Sequence, residues 1–193
     1  MFIHYKMFCE ILKKYENINT SFGTDKNTVH SYGYVYDKLF ADYKDNATKI
    51  LEIGFDSGAS LQAYSEYFKS ASIYGIDIND NCAEIYKKNP NIHIYIGDAT
   101  KEDTVNRFPY EYDIIVEDAS HLPEHQIQHF QDYCKYVKKG GLYIIEDVHE
   151  NFFEEVKNET CKIGNMNDFT MEVIDLRGIK KRFDDILLVF KKN

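Results

Sequence analysis

Leu51-Glu52-Ile53-Gly54-Phe55-Asp56-Ser57-Gly58-Ala59-Ser60-Leu61 reads as the end of a strand, a tight turn and the start of a helix. The apolar run stops at Ile53, and two glycines then admit backbone conformations closed to other residues. Their spacing, Gly54-x-x-x-Gly58, is not the G-x-G-x-x-G of a dinucleotide-binding turn. Glu52, two residues before the first glycine, suits a ligand carrying an ammonium group. A tight turn without any ligand is the competing reading.

Outward from this turn the chain alternates between strand and helix. Strands are expected over residues 50–53, 72–78, 92–96, 112–116 and 142–146, the last after a Gly140-Gly141 turn. Helices are expected over 60–68, 79–88 and 123–137, with Pro123 suited to a first helical turn. Two further strands, 169–176 and 186–191, joined by a short polar link, read as a terminal hairpin. Residues 2–15 and 30–43 carry apolar positions at a helical period, separated by a polar loop over 17–27. The expected fold is therefore α/β: a doubly wound, mostly parallel seven-stranded sheet with short N-terminal helices and a C-terminal antiparallel hairpin. With 193 residues, 44% of them hydrophobic, and no linker or repeat, the chain reads as one domain. Residues 1–45 read as a helical lid and 46–193 as the sheet core.

Chemistry concentrates where these strands end, the edge at which open α/β sheets bind ligands. Asp77 ends the second strand, where a carboxylate can accept both hydroxyls of a ribose. Gly97-Asp98-Ala99 follows the third, where an adenine amino group would meet an acceptor. After the fourth and fifth come Asp118-Ala119-Ser120-His121 and Glu146-Asp147. Three carboxylates on one rim repel one another unless a cation lies between them, so Asp118, Glu146 and Asp147 ask for a metal ion. His121 is placed to act as a base beside it.

Glu52-x-Gly54, Asp77, Gly97-Asp98 and an acid after strand four together resemble the class I S-adenosylmethionine-dependent methyltransferases. Phe22-Gly23-Thr24-Asp25-Lys26 with His30 and Tyr36, Asp118-x-Ser120-His121, and the run from Gly140 to Asp147 resemble, within that class, the metal-dependent sugar O-methyltransferases of macrolide and glycan tailoring and a cephalosporin-hydroxylase-like group. The resemblance covers about residues 20–150. It implies a Rossmann-like methyltransferase fold and S-adenosyl-L-methionine as donor. It also implies Mg²⁺, or another divalent cation, on Asp118, Glu146 and Asp147, with His121 and Asp118 catalytic. Donor contacts are expected from Thr24 and Lys26, from Glu52, Gly54, Gly58 and Ser60 around the glycine turn, from Asp77 and Ile78, from Gly97, Asp98 and Ala99, and from Glu117. The implied acceptor is a small molecule or glycan with vicinal hydroxyls, on a nucleotide-sugar, glycan or glycosylated metabolite. A catechol-like acceptor and a non-catalytic donor-binding module are the alternatives. The relatives are usually longer, with extra segments that shape the acceptor pocket.

Several of these residues have plainer readings. Asp118 and Ser120 can cap the following helix, and His121 can be a loop residue. Lys26 can meet the donor carboxylate or pair with Asp25, and Glu117 points across the strand end or to the donor. His125 and His129 have an i, i+4 zinc-like spacing but no further ligand nearby, which favours packing or a solvated face. His149, two residues past Asp147, can reach the acceptor. The N-terminal helices serve either as a lid or as a homo-oligomer contact.

Composition narrows the partners. A net charge of −9 and a pI near 5.2 argue against nucleic acid and anionic membranes. Only Arg107, Arg177 and Arg182 are available for a phosphate clamp. Cys9, Cys82, Cys134 and Cys161 are widely spaced, as expected of reduced thiols in a cytoplasmic protein. Charge at Lys6 comes too early for a signal peptide, and no apolar run reaches membrane length.

Overall fold

The computed structural model describes residues 7–16, 23–82, 84–107 and 111–193. Phe2 and Ile3 of the expected first helix, and Phe22 of the Gly-Thr-Asp-Lys segment, lie outside them. Seven strands, β1 (Lys49–Ile53), β2 (Ser72–Asp77), β3 (Ile92–Ile96), β4 (Tyr112–Glu117), β5 (Val137–Ile145), β6 (Phe169–Asp175) and β7 (Ile186–Lys192), form one sheet in the order β3-β2-β1-β4-β5-β7-β6. The first five run parallel, and β7 is antiparallel to both β5 and β6. This is the doubly wound, mostly parallel sheet expected from the sequence, with the expected terminal hairpin.

The helices are α1 (Phe8–Tyr15), α2 (Gly33–Phe40), α3 (Ala59–Tyr67), α4 (Glu84–Lys87), α5 (Glu102–Val105), α6 (Pro123–Tyr133), α7 (Phe153–Met166) and α8 (Arg177–Lys180). Side chains alternate across the central strands, so successive residues enter different cores. Ile50, Ile114, Val116 and Ile144 face α1, α2 and α3 through Phe8, Phe40 and Tyr64. Leu51, Ile53, Ile115 and Ile145 face α6 and α7 through Phe130, Tyr133 and Val156. Strands buried on both faces explain why the apolar runs are continuous rather than alternating.

Three expectations are corrected. Gly140 and Gly141 lie within β5 rather than in a turn before it. The β4–β5 register shifts between Tyr112 and Ile114, Gly140 has φ +77°, and a Cβ on Gly141 would stand 2.8 Å from the Asp113 carbonyl. The glycines make a bulge that lets β5 pass close to β4. The expected helix over 79–88 contracts to the single turn of α4. Beyond Asp147, α7 fills a stretch for which no element was expected. None of the described helices is long and apolar enough to cross a membrane.

The N-terminal segment packs on the sheet rather than standing apart. Phe8 is fully buried, with ring centroids of Tyr36, Phe40, Tyr64 and Tyr67 at 5.8, 5.2, 5.4 and 5.4 Å. Such pairs each contribute about 0.5–1.5 kcal/mol beyond their area. Tyr36 and Tyr64, so anchored, carry their hydroxyls to the carboxyl edge of the sheet.

Candidate functional site

Ile53, Glu117 and Ile145 are level in adjacent strands. The residues that follow them, Gly54, Asp118 and Glu146, are therefore brought side by side. The Asp118 amide donates to the Ile53 carbonyl and the Glu146 amide to that of Glu117. Gly54 is required here: its φ is +84°, and a Cβ would fall 2.2 Å from the Asp118 carbonyl oxygen. Gly58, φ +81°, opens α3.

The cation predicted for this rim is in part a lysine. Lys26, fully buried, places Nζ 2.5 Å from Asp118 Oδ2, 2.8 Å from Glu146 Oε2 and 3.4 Å from Glu52 Oε1. Burial works against its charge, but Asp118 and Glu146 outweigh it and hold the ammonium well above its usual pKa. Glu52, buried behind the turn, also accepts from Ser60 and Tyr64, and burial pushes it up to about 7. Glu146 is raised too, by burial and by Asp118 and Asp147; Lys26 and the Tyr36 hydroxyl donate one to each of its oxygens. In this structure the positive group opposite Glu52 is the Lys26 ammonium.

Asp147 faces a second set of donors. Its Oδ1 accepts from the Tyr32 hydroxyl and lies 3.3 Å from His30 Nδ1, which also meets Asp185 Oδ1 at 2.7 Å. Burial and Asp118 push Asp147 up to about 6. His121 Nε2 is 3.1 Å from Asp118 Oδ1 and 3.6 Å from Asp147 Oδ2. Burial disfavours the charged ring, but Asp118 above all, then Asp147, raise it to about 9. Asp118 is held down to about 2 against its own burial by Lys26 and His121. His121 and Asp147 both have left-handed backbone, φ +57° and +53°, a conformation that Asp and His tolerate better than most residues. One ligand atom each from Asp118, His121 and Asp147 lies within 4.8 Å of the others, close enough to share one ion. The two carboxylate oxygens suit a hard divalent cation, with the imidazole beside them. Glu146 joins the cluster through Lys26 rather than through this triangle.

Two cavities meet at the cluster. One, of about 530 Å³, is lined by Asp77, Ile78, Gly97, Asp98 and Ala99 as well as Gly54, Asp118 and Ala119. The other, about 290 Å³, is lined by Thr24, Lys26, Ser60, Asp118, His121 and Asp147. Asp77 accepts three backbone amides, from Phe55 and Asp56 on Oδ2 and from Asn79 on Oδ1, so it braces the glycine turn. Asp98 accepts the Thr100 amide and hydroxyl, which hold it below the usual carboxylate range. Glu117 turns away from the acids to α6, where its Oε1 meets His129 Nδ1 at 3.0 Å. His129 is buried, as the packing reading expected, while His125 Nδ1 meets Ser120 Oγ at 2.7 Å.

The sequence reading did not assign Tyr32, Tyr36, Asp185 or the Glu117–His129 pair to the site. A signal existed for the tyrosines, which share a helix face at i, i+4. For Asp185 the signal is topological: β7 is antiparallel, so the residues before it sit at the carboxyl edge of the parallel strands.

Comparisons with known proteins agree with this geometry. A family model described as a methyltransferase domain matches residues 51–148. The 8-demethyl-8-alpha-L-rhamnosyl tetracenomycin-C 2'-O-methyltransferase of Streptomyces olivaceus is 30% identical over 142 residues, 68% of this chain and 36% of that protein. The chain thus spans about a third of the length of such curated relatives. Among solved structures, the mycinamycin-pathway methyltransferase MycE, in complex with Mg, SAH and mycinamycin VI, superposes with a TM-score of 0.76 at 20% identity, over 98% of this chain and 56% of its own. A putative caffeoyl-CoA O-methyltransferase from Staphylococcus aureus superposes with a TM-score of 0.66 at 19% identity, over 98% of this chain and 94% of its own. With strand order, glycine turn and family match in agreement, and the match covering just over half of its residues, the chain belongs to the methyltransferase-domain family.

Proposed function

We propose that the protein transfers a methyl group from S-adenosyl-L-methionine to a sugar hydroxyl, assisted by a divalent cation such as Mg²⁺, in the cytoplasm. One observation carries the reading: Asp118, His121 and Asp147 converge within 4.8 Å in the smaller cavity, and Asp118 lines the larger one as well. The relatives named above support the acceptor class.

In this reading the nucleoside lies in the larger cavity, its ribose toward Asp77 and Ile78 and its base toward Gly97, Asp98 and Ala99. The amino-acid end enters the smaller cavity past Gly54, Gly58 and Ser60, where Thr24 and Lys26 face it. Asp118 and Asp147 supply direct oxygens to the cation, and Glu146 adds the charge that attracts it. Such a cation, when bound, would supply a Lewis acid that makes an acceptor hydroxyl easier to deprotonate. Asp118 and Asp147 raise the His121 ring to about 9; a cation on those acids would offset them and leave Nε2 free to take the hydroxyl proton, a step typically worth about 10²–10⁴-fold. The acceptor oxygen forms its bond to the methyl carbon as the carbon–sulfur bond breaks, and sulfur keeps the electron pair. Lys26, Tyr32 and Tyr36 of the N-terminal segment wall the cleft, since they reach the acids directly.

Turnover of a glycoside array, read as a +14 Da product, tests the proposal. Excess EDTA abolishes it and Mg²⁺ restores it; full activity in EDTA removes the metal from the scheme. A second reading, a catechol-like acceptor, draws on the near-complete length match with the putative caffeoyl-CoA O-methyltransferase. Transfer to catechol but to no glycoside would select it.

A further inference from the structure

Two residues past Asp147 the chain leaves the acids and enters a cluster of rings. The His149 centroid lies 4.6 Å from that of Phe183 and 5.6 Å from that of Phe152. Both phenylalanines are half-exposed, Phe152 43% and Phe183 47%, with the Arg182 guanidinium 5.6 Å from the Phe183 ring centroid. The Asn151 amide donates to His149 Nδ1, so the neutral ring carries its proton on Nε2 and presents a donor. Phe183 also lines an open cavity of about 560 Å³ with Glu150, Arg177 and Arg182.

The rings are tied to the candidate site. Asp147 and His149 are at most about 7 Å apart along the chain. The Glu150 amide donates to the Phe183 carbonyl, clamping the segment after Asp147 against the one before β7. Arg182 pairs with Asp184, whose carbonyl accepts from the same Tyr32 hydroxyl that holds Asp147.

We propose that Phe183, Phe152 and His149 form the subsite on which the sugar ring of a glycoside acceptor stacks. The inference rests on the O-methyl-transfer reading above. A pyranose has an apolar face of C–H groups and an equatorial rim of hydroxyls. The ring cluster matches it with an apolar floor, the His149 Nε2 donor, and a rim of Glu150, Arg177 and Arg182. An anionic ligand would rest on Lys181 of the cavity lining, because both arginines are already paired: Arg177 with Asp175 at 2.7 Å and Glu150 at 3.0 Å, and Arg182 with Asp184 at 2.6 Å. A wholly apolar partner would leave that charged rim against it.

The test uses saturation-transfer NMR and titration with methyl α-L-rhamnopyranoside, in the presence of S-adenosylhomocysteine and MgCl₂. The wild type binds the glycoside through its ring C–H protons. Phe183→Ala weakens that binding about tenfold, roughly 1.4 kcal/mol, while Phe183→Trp keeps it. The affinity for S-adenosylhomocysteine stays within about twofold in both, since an exposed ring contributes little to folding. Equal glycoside affinity in wild type and Phe183→Ala overturns the subsite. So does a wild type that binds no glycoside, or a loss of self-association in Phe183→Ala with glycoside affinity unchanged. If the protein methylates the glycoside and Phe183→Ala leaves KM unaltered, the subsite falls and the transfer reading stands. If Phe183-dependent binding occurs without any methyl transfer, the transfer reading falls and the subsite stands.

Discussion

Lys26→Met removes the buried ammonium that Asp118, Glu146 and Glu52 share at 2.5, 2.8 and 3.4 Å. Removing one partner of a buried ion pair costs about 3–5 kcal/mol, because the other charge is left in a poor solvent. The carboxylates can escape by taking up protons, and this bounds the loss. For a glutamate whose ordinary value is 4.5, staying protonated at pH 7 costs about 3.4 kcal/mol at 1.36 kcal/mol per unit. Glu52, already near 7, absorbs part of this in the wild type. For a domain of this size, 3–5 kcal/mol lowers Tm by roughly 6–20 °C. Carboxylates whose folded pKa lies above the unfolded value bind more protons when folded, so their burden grows as pH rises. The gap between Lys26→Met and wild type is therefore widest at pH 7–8 and narrows toward pH 5. Glu52→Gln in the Lys26→Met background recovers part of it, and saturating Mg²⁺, binding only the folded form, adds about 2.7 kcal/mol at 100 times its Kd. Thermal denaturation from pH 5 to 8 measures all of this. A Lys26→Met protein within about 2 °C of wild type at pH 7.5, with no pH trend, refutes the role of Lys26 as resident cation of the cluster.

His121→Ala lowers turnover by about 10²–10⁴-fold and leaves S-adenosylhomocysteine affinity within about twofold by calorimetry; collapse of that affinity excludes His121 as the base. Gly54→Ala meets both a positive φ and a 2.2 Å approach to the Asp118 carbonyl, so it loses more than about 2 kcal/mol in urea unfolding and weakens the donor analogue. An unaltered Gly54→Ala means the strand-one and strand-four loops are not pressed together. Asp113 lies at the opposite end of β4. Burial raises its pKa, but the Thr48 amide, Lys138 and the Lys49 amide outweigh that and hold it below the usual range. Its contribution is present above the unfolded value and fades as pH falls through the lowered one. Asp113→Asn therefore loses about 1 kcal/mol at pH 7 and less at pH 2, with donor-analogue affinity unchanged. An equal loss at both pH values contradicts the ionic origin.

The alternation of apolar runs with glycine turns was enough to place the sheet, because buried parallel strands must be apolar on both faces. It misplaced Gly140-Gly141, since a positive-φ glycine looks the same in a turn and in a bulge. What decides is the Asp113 carbonyl opposite, which only pairing reveals. α7 was missed because its buried stripe is Val156, Thr160 and Gly164; Gly164 is there to admit Phe190, not to break the helix. Local spacing located Asp118, His121, Glu146 and Asp147 at one edge. The contacts of Lys26 with residues 92 and 120 positions away could not be read from spacing. Nor could the turning of Glu117 toward His129, which depends on where α6 docks.

The two cavities share Gly54, Asp56, Asp118 and Ala119. Whatever fills one therefore touches the loop that shapes the other, and the two occupancies are thermodynamically coupled. By linkage, the factor by which the cation tightens the methyl donor equals the factor by which the donor tightens the cation. Product release then carries a consequence of its own. In the transfer reading proposed above, the demethylated donor lacks the positive sulfur and with it the repulsion of the cation, so a donor-filled cleft and a product-filled one hold the ion differently. On that reading, the shared wall makes metal affinity a report of where the protein stands in its cycle.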